Sequence, residues 1–282
     1  MKKIALFIVL LSWLGPTQAQ SEDSGVKPMP QRKGSFYLYW GYNRSAYTRS
    51  DLHFHGPDYD FTIIDAKAKD RPSPWSSEYY NINTLSIPQY VYRLGYYLND
   101  RLCVSAGLDH MKYVMVQDQP AKVKGYISSA ASAKYAGNYE GQSVVMSGDF
   151  LQFEHSDGLN LATVDVSYLY PLYAMNKDKI VLNWNIGGGG FFMITKTRSY
   201  VFDKGQDNKF HLSGLTAHLK AGPRIEFWNR FFIGAETKVG YTLLPWILLD
   251  GPEKPQRASH KVAYIEGYGV AGFYFRFWKR KD

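Results

Sequence analysis

The chain has 282 residues, carries 33 Lys and Arg against 25 Asp and Glu, and contains a single cysteine. One cysteine excludes an intrachain disulfide framework, and 23 Tyr, 16 Phe and 7 Trp exclude a disordered polar chain. Past Gln20, no run reaches the roughly 18 apolar residues of a transmembrane helix.

The first segment reads as an address. Lys2 and Lys3 precede the apolar run from Ile4 to Leu14, and Thr17-Gln18-Ala19 supplies small residues for cleavage. Residues 1–19 are therefore expected to be a signal peptide removed after Ala19. Residues 20–33 are polar, contain Pro28 and Pro30, and read as a flexible periplasmic lead-in.

From Gly34 a period-2 alternation takes over. The first strand is predicted over Phe36 to Tyr42 and the second over Pro88 to Leu98, with Tyr90, Tyr92, Leu94 and Tyr96 opposite Val91 and Arg93. The third begins at Leu102, with Cys103, Ser105, Gly107 and Asp109 on its polar face. The fourth, Ala162 to Leu172, sets Val164, Val166 and Tyr168 against Thr163, Asp165 and Ser167. Further strands follow over Ile180 to Ile194, Leu215 to Phe227, Phe231 to Leu243 and Ile265 to Phe277. The connections alternate in length. Leu98 to Arg101, Met175 to Lys179 and Trp228 to Arg230 are tight turns. The stretches Arg49 to Ser86, Gln117 to Asn160, Arg198 to Phe210 and Leu248 to His260 are long loops. An even number of strands, with short turns at one end and long loops at the other, predicts an all-β, transmembrane antiparallel up-and-down barrel of eight strands over residues 34–278, followed by a basic periplasmic tail, 279–282. Asp157-Gly158 could instead close a hairpin and give ten strands. The extra strand, Asp149 to His155, is shorter than the roughly 9–11 residues a tilted span needs.

Charge sorts with the alternation. On the inward face lie Arg93, Lys220, Arg224, Lys238 and Arg276 against Asp109, Asp165, Glu226, Glu236 and Glu266, together with His218. An eight-stranded barrel is only wide enough for its own side chains, and unpaired charge inside it is costly. Balance of this kind implies a packed, charge-paired lumen. Arg44, Lys112, Lys196 and Lys261 have outward parity near the long-loop ends of their strands. They form a candidate rim for lipopolysaccharide phosphates. The remaining basic residues are dispersed over the turns and loops, which argues against nucleic-acid binding.

The layout resembles the small eight-stranded outer-membrane barrels of Gram-negative bacteria, of the OmpA/OmpX type. Gly272, Phe275 and Phe277 are spaced like the C-terminal signal of such barrels. The resemblance implies residence in the cell outer membrane, contact with its lipids including lipopolysaccharide, and handling by the barrel-assembly machinery. No cofactor is expected.

Some relatives of this architecture act on lipid A, so His/Ser/acid sets are the catalytic candidates. His211 and Ser213 have the spacing found in lipid A 3-O-deacylases, but the following acid, Glu226, has the opposite parity. Glu154-His155-Ser156-Asp157 holds triad residue types in a row, which is not triad geometry. His53 and His55 share a strand face near Asp51 without an evident third metal ligand. Gly187 to Gly190 lies inside a strand and reads as close packing, not as a phosphate loop. The function expected from these features is a non-enzymatic envelope-integrity, adhesion or ligand-binding role through the long extracellular loops. The alternatives are a lipid A-modifying enzyme and a narrow channel.

Overall fold

The computed structural model describes residues 31–81, 83–84, 87–175, 179–207, 209–249 and 256–277. The expected signal peptide, most of the lead-in and the tail 279–282 lie outside the described residues. In chain order the strands are β1 (Phe36–Tyr47), β2 (Ser50–Gly56), β3 (Tyr59–Ala66), β4 (Ala68–Lys69), β5 (Tyr90–Tyr97), β6 (Leu102–Met115), β7 (Pro120–Ile127), β8 (Gly137–Val145), β9 (Leu151–Met175), β10 (Ile180–Thr195), β11 (Arg198–Val201), β12 (Lys204–Asp207), β13 (His211–Phe227), β14 (Phe231–Leu248) and β15 (Arg257–Phe275).

Eight of these close a ring in the order β1-β5-β6-β9-β10-β13-β14-β15, and β15 returns to β1 in antiparallel register from Phe36↔Phe275 to Tyr47↔Tyr264. They are the eight strands read from the alternation. Period 2 produces this wall because alternate side chains face opposite sides of a strand. Leu94, Val164, Val166, Ile186, Leu219, Ile233, Val239 and Ile265 stand exposed on the outside. So broad an apolar belt is unfavourable in water and suited to lipid.

The turn from Phe227 to Arg230 is built for a hairpin. Trp228 and Asn229 both have positive φ, +51° and +55°, and Arg230 N–H donates to the Phe227 carbonyl at 2.9 Å. Positive φ at both central residues matches the right-handed twist of the flanking strands. One defect interrupts the wall. The pairing of β13 with β14 lapses between Ala221↔Thr237 and Arg224↔Gly234, where Pro223 has no N–H to donate. A hollow of about 740 Å³ lies against this gap on the lipid side.

The other end of the ring departs from the expectation of four long loops. β9 runs unbroken for 25 residues, so Asp157-Gly158 lies inside a strand and closes no hairpin. The ten-strand alternative fails for that reason, and the stretch from Leu151 to His155 is the upper part of β9, with Asp149 in the turn before it. The first two connections carry strands of their own. β2 pairs with the top of β15, then β3, β7 and β8 follow in antiparallel order. β4 joins β6, while β11 joins β9 and β12. These additions make a β-lobe standing on the barrel.

The lobe forms because its strands alternate too. Leu52 and Phe54 of β2 and Phe61 and Ile63 of β3 point to one side, across a tight turn at Pro57-Asp58. They bury against Phe150, Phe153 and Phe202. Phe61 sits 5.9 Å from Phe150 and 5.8 Å from Phe202, and Phe54 meets Phe153 edge-on at 5.5 Å. The same cluster continues down into the barrel mouth through Met111, Tyr113, Leu161, Met193, Val262 and Tyr264.

Candidate functional site

Two regions carry the chemistry of this chain: the barrel interior and the face of the lobe. In the interior, β5, β6, β9, β13, β14 and β15 each contribute charge because their inward residues recur every second position. Arg93 sets two of its guanidinium nitrogens on Asp109, with Nη2 3.0 Å from Oδ2. Its Nε donates to Asp165 at 3.1 Å. Asp165 also accepts from Lys220 Nζ at 2.7 Å and contacts His218 Nε2 at 3.0 Å. Lys238 Nζ bridges Asp109 and Glu266, the latter at 2.8 Å. Lower in the barrel, Glu236 receives Arg224, Asn185 Nδ2 at 2.9 Å and the Tyr268 hydroxyl at 2.7 Å. At the short-turn end Glu226 accepts from Arg32 and from the Tyr274 hydroxyl, the latter at 2.7 Å.

Arg276 is a correction to the inward set. It lies just beyond β15, is exposed, and donates Nε to Ser35 Oγ at 2.7 Å and Nη2 to the Gln31 carbonyl. Its parity is inward, but parity does not give depth. Arg32 takes the interior position instead, folded up from the lead-in and only 3% exposed. The lead-in is therefore not flexible throughout residues 20–33, since Arg32 N–H also donates to Asp100 Oδ1 at 2.8 Å. With Arg32 in place of Arg276, the buried Lys and Arg are Arg32, Arg93, Lys220, Arg224 and Lys238, and the buried Asp and Glu are Asp109, Asp165, Glu226, Glu236 and Glu266. Five cations face five carboxylates among the described residues, so the interior is neutral. The tyrosine and asparagine partners were readable in part, because Tyr268 shares the parity of Glu266 and Asn185 that of Asn183. Gly189 is required here: a Cβ would fall 2.4 Å from Asp165 Oδ1 and 2.2 Å from the Val164 carbonyl.

The four rim cations have different surroundings. Arg44 donates to the Asn43 carbonyl and to the Tyr79 hydroxyl at 3.1 Å, and Lys112 donates to Ser73 Oγ at 3.2 Å. Both clasp the segment around a 3₁₀ turn at Ser77–Tyr79, which lies back on the barrel wall with Tyr79 against Tyr42. Lys196 is paired with Asp157 at 3.0 Å. Lys261 remains exposed, and no described residue gives it a hydrogen bond or ion pair.

The catalytic candidates come together only partly. Ser213 Oγ lies 3.0 Å from His211 Nε2 and also meets Thr195 Oγ1. Leu248 N–H donates to the same Nε2 at 3.1 Å, which leaves Nδ1 to donate to the Lys209 carbonyl at 3.0 Å. No carboxylate contacts His211 among the described residues, and Glu226 sits at the far end of the barrel. Ser213 is buried. In the 154–157 stretch, His155 turns inward onto Thr197 Oγ1 at 3.0 Å, while Glu154 binds Arg71 and Arg198 and Asp157 binds Lys196.

On the lobe, His53 and His55 both face Asp60, not Asp51: His53 Nε2 is 2.8 Å from Oδ1 and His55 Nδ1 is 3.1 Å from Oδ2. The hydrogen bond from His53, with that from His55, holds the Asp60 carboxyl below its ordinary value, against the opposing effect of burial. Among the described residues no group of three His, Cys, Asp or Glu side chains is arranged to hold a metal ion. Across the same face the register places Asp60 beside Tyr126 and Thr62 beside Lys124. β8 ends the sheet, with its outer edge unpaired among the described residues.

A closed antiparallel ring with an apolar outer wall and a packed, neutral interior defines a transmembrane β-barrel of the outer-membrane kind. This one is a small eight-stranded barrel that carries an ordered β-lobe on its long connections. No family model and no curated protein sequence matches the chain. Among solved structures it is similar to the outer-membrane protein AlkL, with 11% identity and a TM-score of 0.35, covering 93% of this chain and 100% of that one. It is also similar to Ail, the attachment invasion locus protein of Yersinia pestis, at 11% identity, TM-score 0.32, and coverage of 86% and 99%. A third is the N-terminal β-barrel domain of OprF from Pseudomonas aeruginosa, at 11% identity, TM-score 0.33, and coverage of 87% and 100%.

Proposed function

We propose that this chain is a non-enzymatic outer-membrane barrel whose lobe is an extracellular ligand-binding or adhesive surface, with the barrel as its anchor. The observation that carries this reading is the apolar core shared by the lobe and the barrel mouth. It packs the strands of the first two connections into a sheet over the barrel mouth, which supports a binding face over an open pore. A rigid sheet with a polar, aromatic-bearing outer face can bind a partner without the entropy cost of ordering a loop. Asp60, Lys124 and Tyr126 are the face residues to test.

Cells carrying an Asp60→Ala/Lys124→Ala/Tyr126→Ala variant are expected to lose adhesion to matrix-coated surfaces while the folded barrel stays at its normal level. Adhesion equal to that of the unaltered chain, or a reproducible open state in planar bilayers, would contradict the reading. The Ser213–His211 contact keeps lipid A modification as a second reading. Lipid A from cells with and without Ser213→Ala, compared by mass spectrometry, tests it directly, and a Ser213-dependent mass change would favour the enzyme.

A further inference from the structure

A hollow of about 770 Å³ lies on the outer flank of the barrel where the chain crosses from β1 to β2, lined by Arg49, Asp51, Tyr241, Leu243, Pro245 and Lys261 among others. We propose that it is a binding site for a phosphate of lipid A in the outer leaflet.

The placement follows from register. Ala263 pairs with Tyr241 and Lys261 pairs with Leu243, all with outward parity. Lys261 therefore stands two residues, roughly 7 Å, above the Tyr241 level of the wall. Tyrosine marks the membrane–water boundary in such walls, so the Lys261 ammonium sits at headgroup height. Thr48 is fixed beside it, since Thr48 N–H donates to the Ala263 carbonyl at 3.0 Å. That contact delivers Arg49 to the same hollow.

Charge completes the argument. Arg49 and Lys261 are both exposed, and neither has a hydrogen bond or ion pair to another described residue. The other rim cations are engaged, by Tyr79, Ser73 and Asp157. Asp51 and Asp65 also border the hollow, on the lobe side, and Asp51 Oδ1 already accepts the Asp65 N–H at 2.9 Å. With Asp51 and Asp65 the hollow is formally neutral, but its two cations stand above an apolar, lipid-continuous floor, where they complement an anionic headgroup with acyl chains. Arg and Lys bind phosphate oxygens by charge-assisted hydrogen bonds. A free phosphate would match the cations and leave Tyr241, Leu243 and Pro245 without a role. His53 borders both this hollow and the lobe face, but Asp60, Lys124 and Tyr126 do not line the hollow, so a failure of the lipid A site would leave the adhesive reading untouched.

The test is native mass spectrometry of the full chain in detergent, titrated with diphosphoryl lipid A, dephosphorylated lipid A or inorganic phosphate. The unaltered chain is expected to retain one diphosphoryl lipid A, to bind the dephosphorylated form at least about tenfold more weakly, and to ignore inorganic phosphate. Arg49→Gln/Lys261→Gln should lose about tenfold or more in lipid A affinity, while Arg44→Gln/Lys196→Gln should bind as the unaltered chain does. Equal binding by Arg49→Gln/Lys261→Gln, an equal loss in the Arg44/Lys196 variant, or indifference to lipid A phosphorylation would each overturn the proposal. The last comparison needs no variant and stands even if one fails to fold.

Discussion

Replacing Asp165 by Asn tests the interior most sharply, because three groups converge on one carboxylate. Asp165 takes Lys220 Nζ at 2.7 Å, His218 Nε2 at 3.0 Å and Arg93 Nε at 3.1 Å. Arg93 keeps Asp109 after the substitution, in a two-point contact. Lys220 makes no other ion pair among the described residues. The cost is therefore set by one buried ammonium left without its carboxylate, which is about 3–5 kcal/mol when a buried pair is broken from one side. Asp165→Asn/Lys220→Met removes that stranded charge and should recover at least about 2 kcal/mol, since replacing both partners is far cheaper than replacing one. Urea unfolding of the barrel refolded into lipid vesicles, followed by tryptophan fluorescence, reads both values, with the denaturant slope as the check that the unfolded reference is unchanged. If Asp165→Asn lies within about 1 kcal/mol of the unaltered chain, or the double variant is no more stable than the single, the interior is not a desolvated ion network.

Other outcomes follow from the same structure. Asp60 should titrate below the ordinary value of about 3.9 in a carboxyl NMR experiment, and His53→Gln/His55→Gln should bring it back up. Because the folded value is depressed, the His-Asp contact contributes stability above the ordinary Asp value and loses it as pH falls through the folded one; a midpoint unmoved by the double variant would refute the contact. Gly189→Leu should prevent accumulation of heat-modifiable barrel, since its side chain meets Asp165 and the Val164 backbone, and normal folding would refute the packing. Phe61→Ala should cost about 3–5 kcal/mol within the lobe and expose residues 117–160 to protease on intact cells. Trp75, 73% exposed beside the wall-bound Tyr79, should be quenched by lipids brominated near the headgroup in a variant retaining only that tryptophan. A Trp75 spectrum indifferent to such lipids would place this segment in water.

The ring was legible because every spanning strand has lipid on one side and packed polar groups on the other. That contrast writes itself into the sequence as period 2, and Arg93, Asp165 and Lys238 stand out against their neighbours. What parity cannot supply is depth. Arg276 has the right face and the wrong height, while Arg32 reaches the interior from a segment with no alternation at all. The lobe had its own signal, since Leu52 and Phe54, then Phe61 and Ile63, alternate around Pro57-Asp58. A soluble hairpin on an apolar core and a membrane strand produce the same alternation, and the lobe strands are too short to span. The surroundings of the rim cations were hidden for a related reason. Outward parity is shared by Arg44, Lys112, Lys196 and Lys261, but Arg44 and Lys112 are met by a segment that folds back over the wall, a tertiary event with no local trace, and Lys196 by Asp157 of the neighbouring strand.

The order of layers along the barrel axis has a physical consequence. Apolar side chains from Leu161 to Tyr264 fill the mouth beneath the lobe, the Arg93–Asp109–Asp165–Lys238 cluster lies below them, and the lower charges interleave with aromatic rings, Arg224 over Tyr37 and Phe232 and Glu236 on the Tyr268 hydroxyl. Charges packed among such side chains interact at low effective dielectric, where pairing is strong and a missing partner is expensive. Water admitted from either end would weaken both effects together. Phe153, which contacts Phe54 in the lobe and Tyr113 at the mouth, joins the upper layer to the lobe core. Loosening it therefore acts on the ion network at a distance, through solvent access and without touching a charge. The lobe is in this sense part of the barrel's stability, and the neutrality of the interior holds its value only while the lobe is folded.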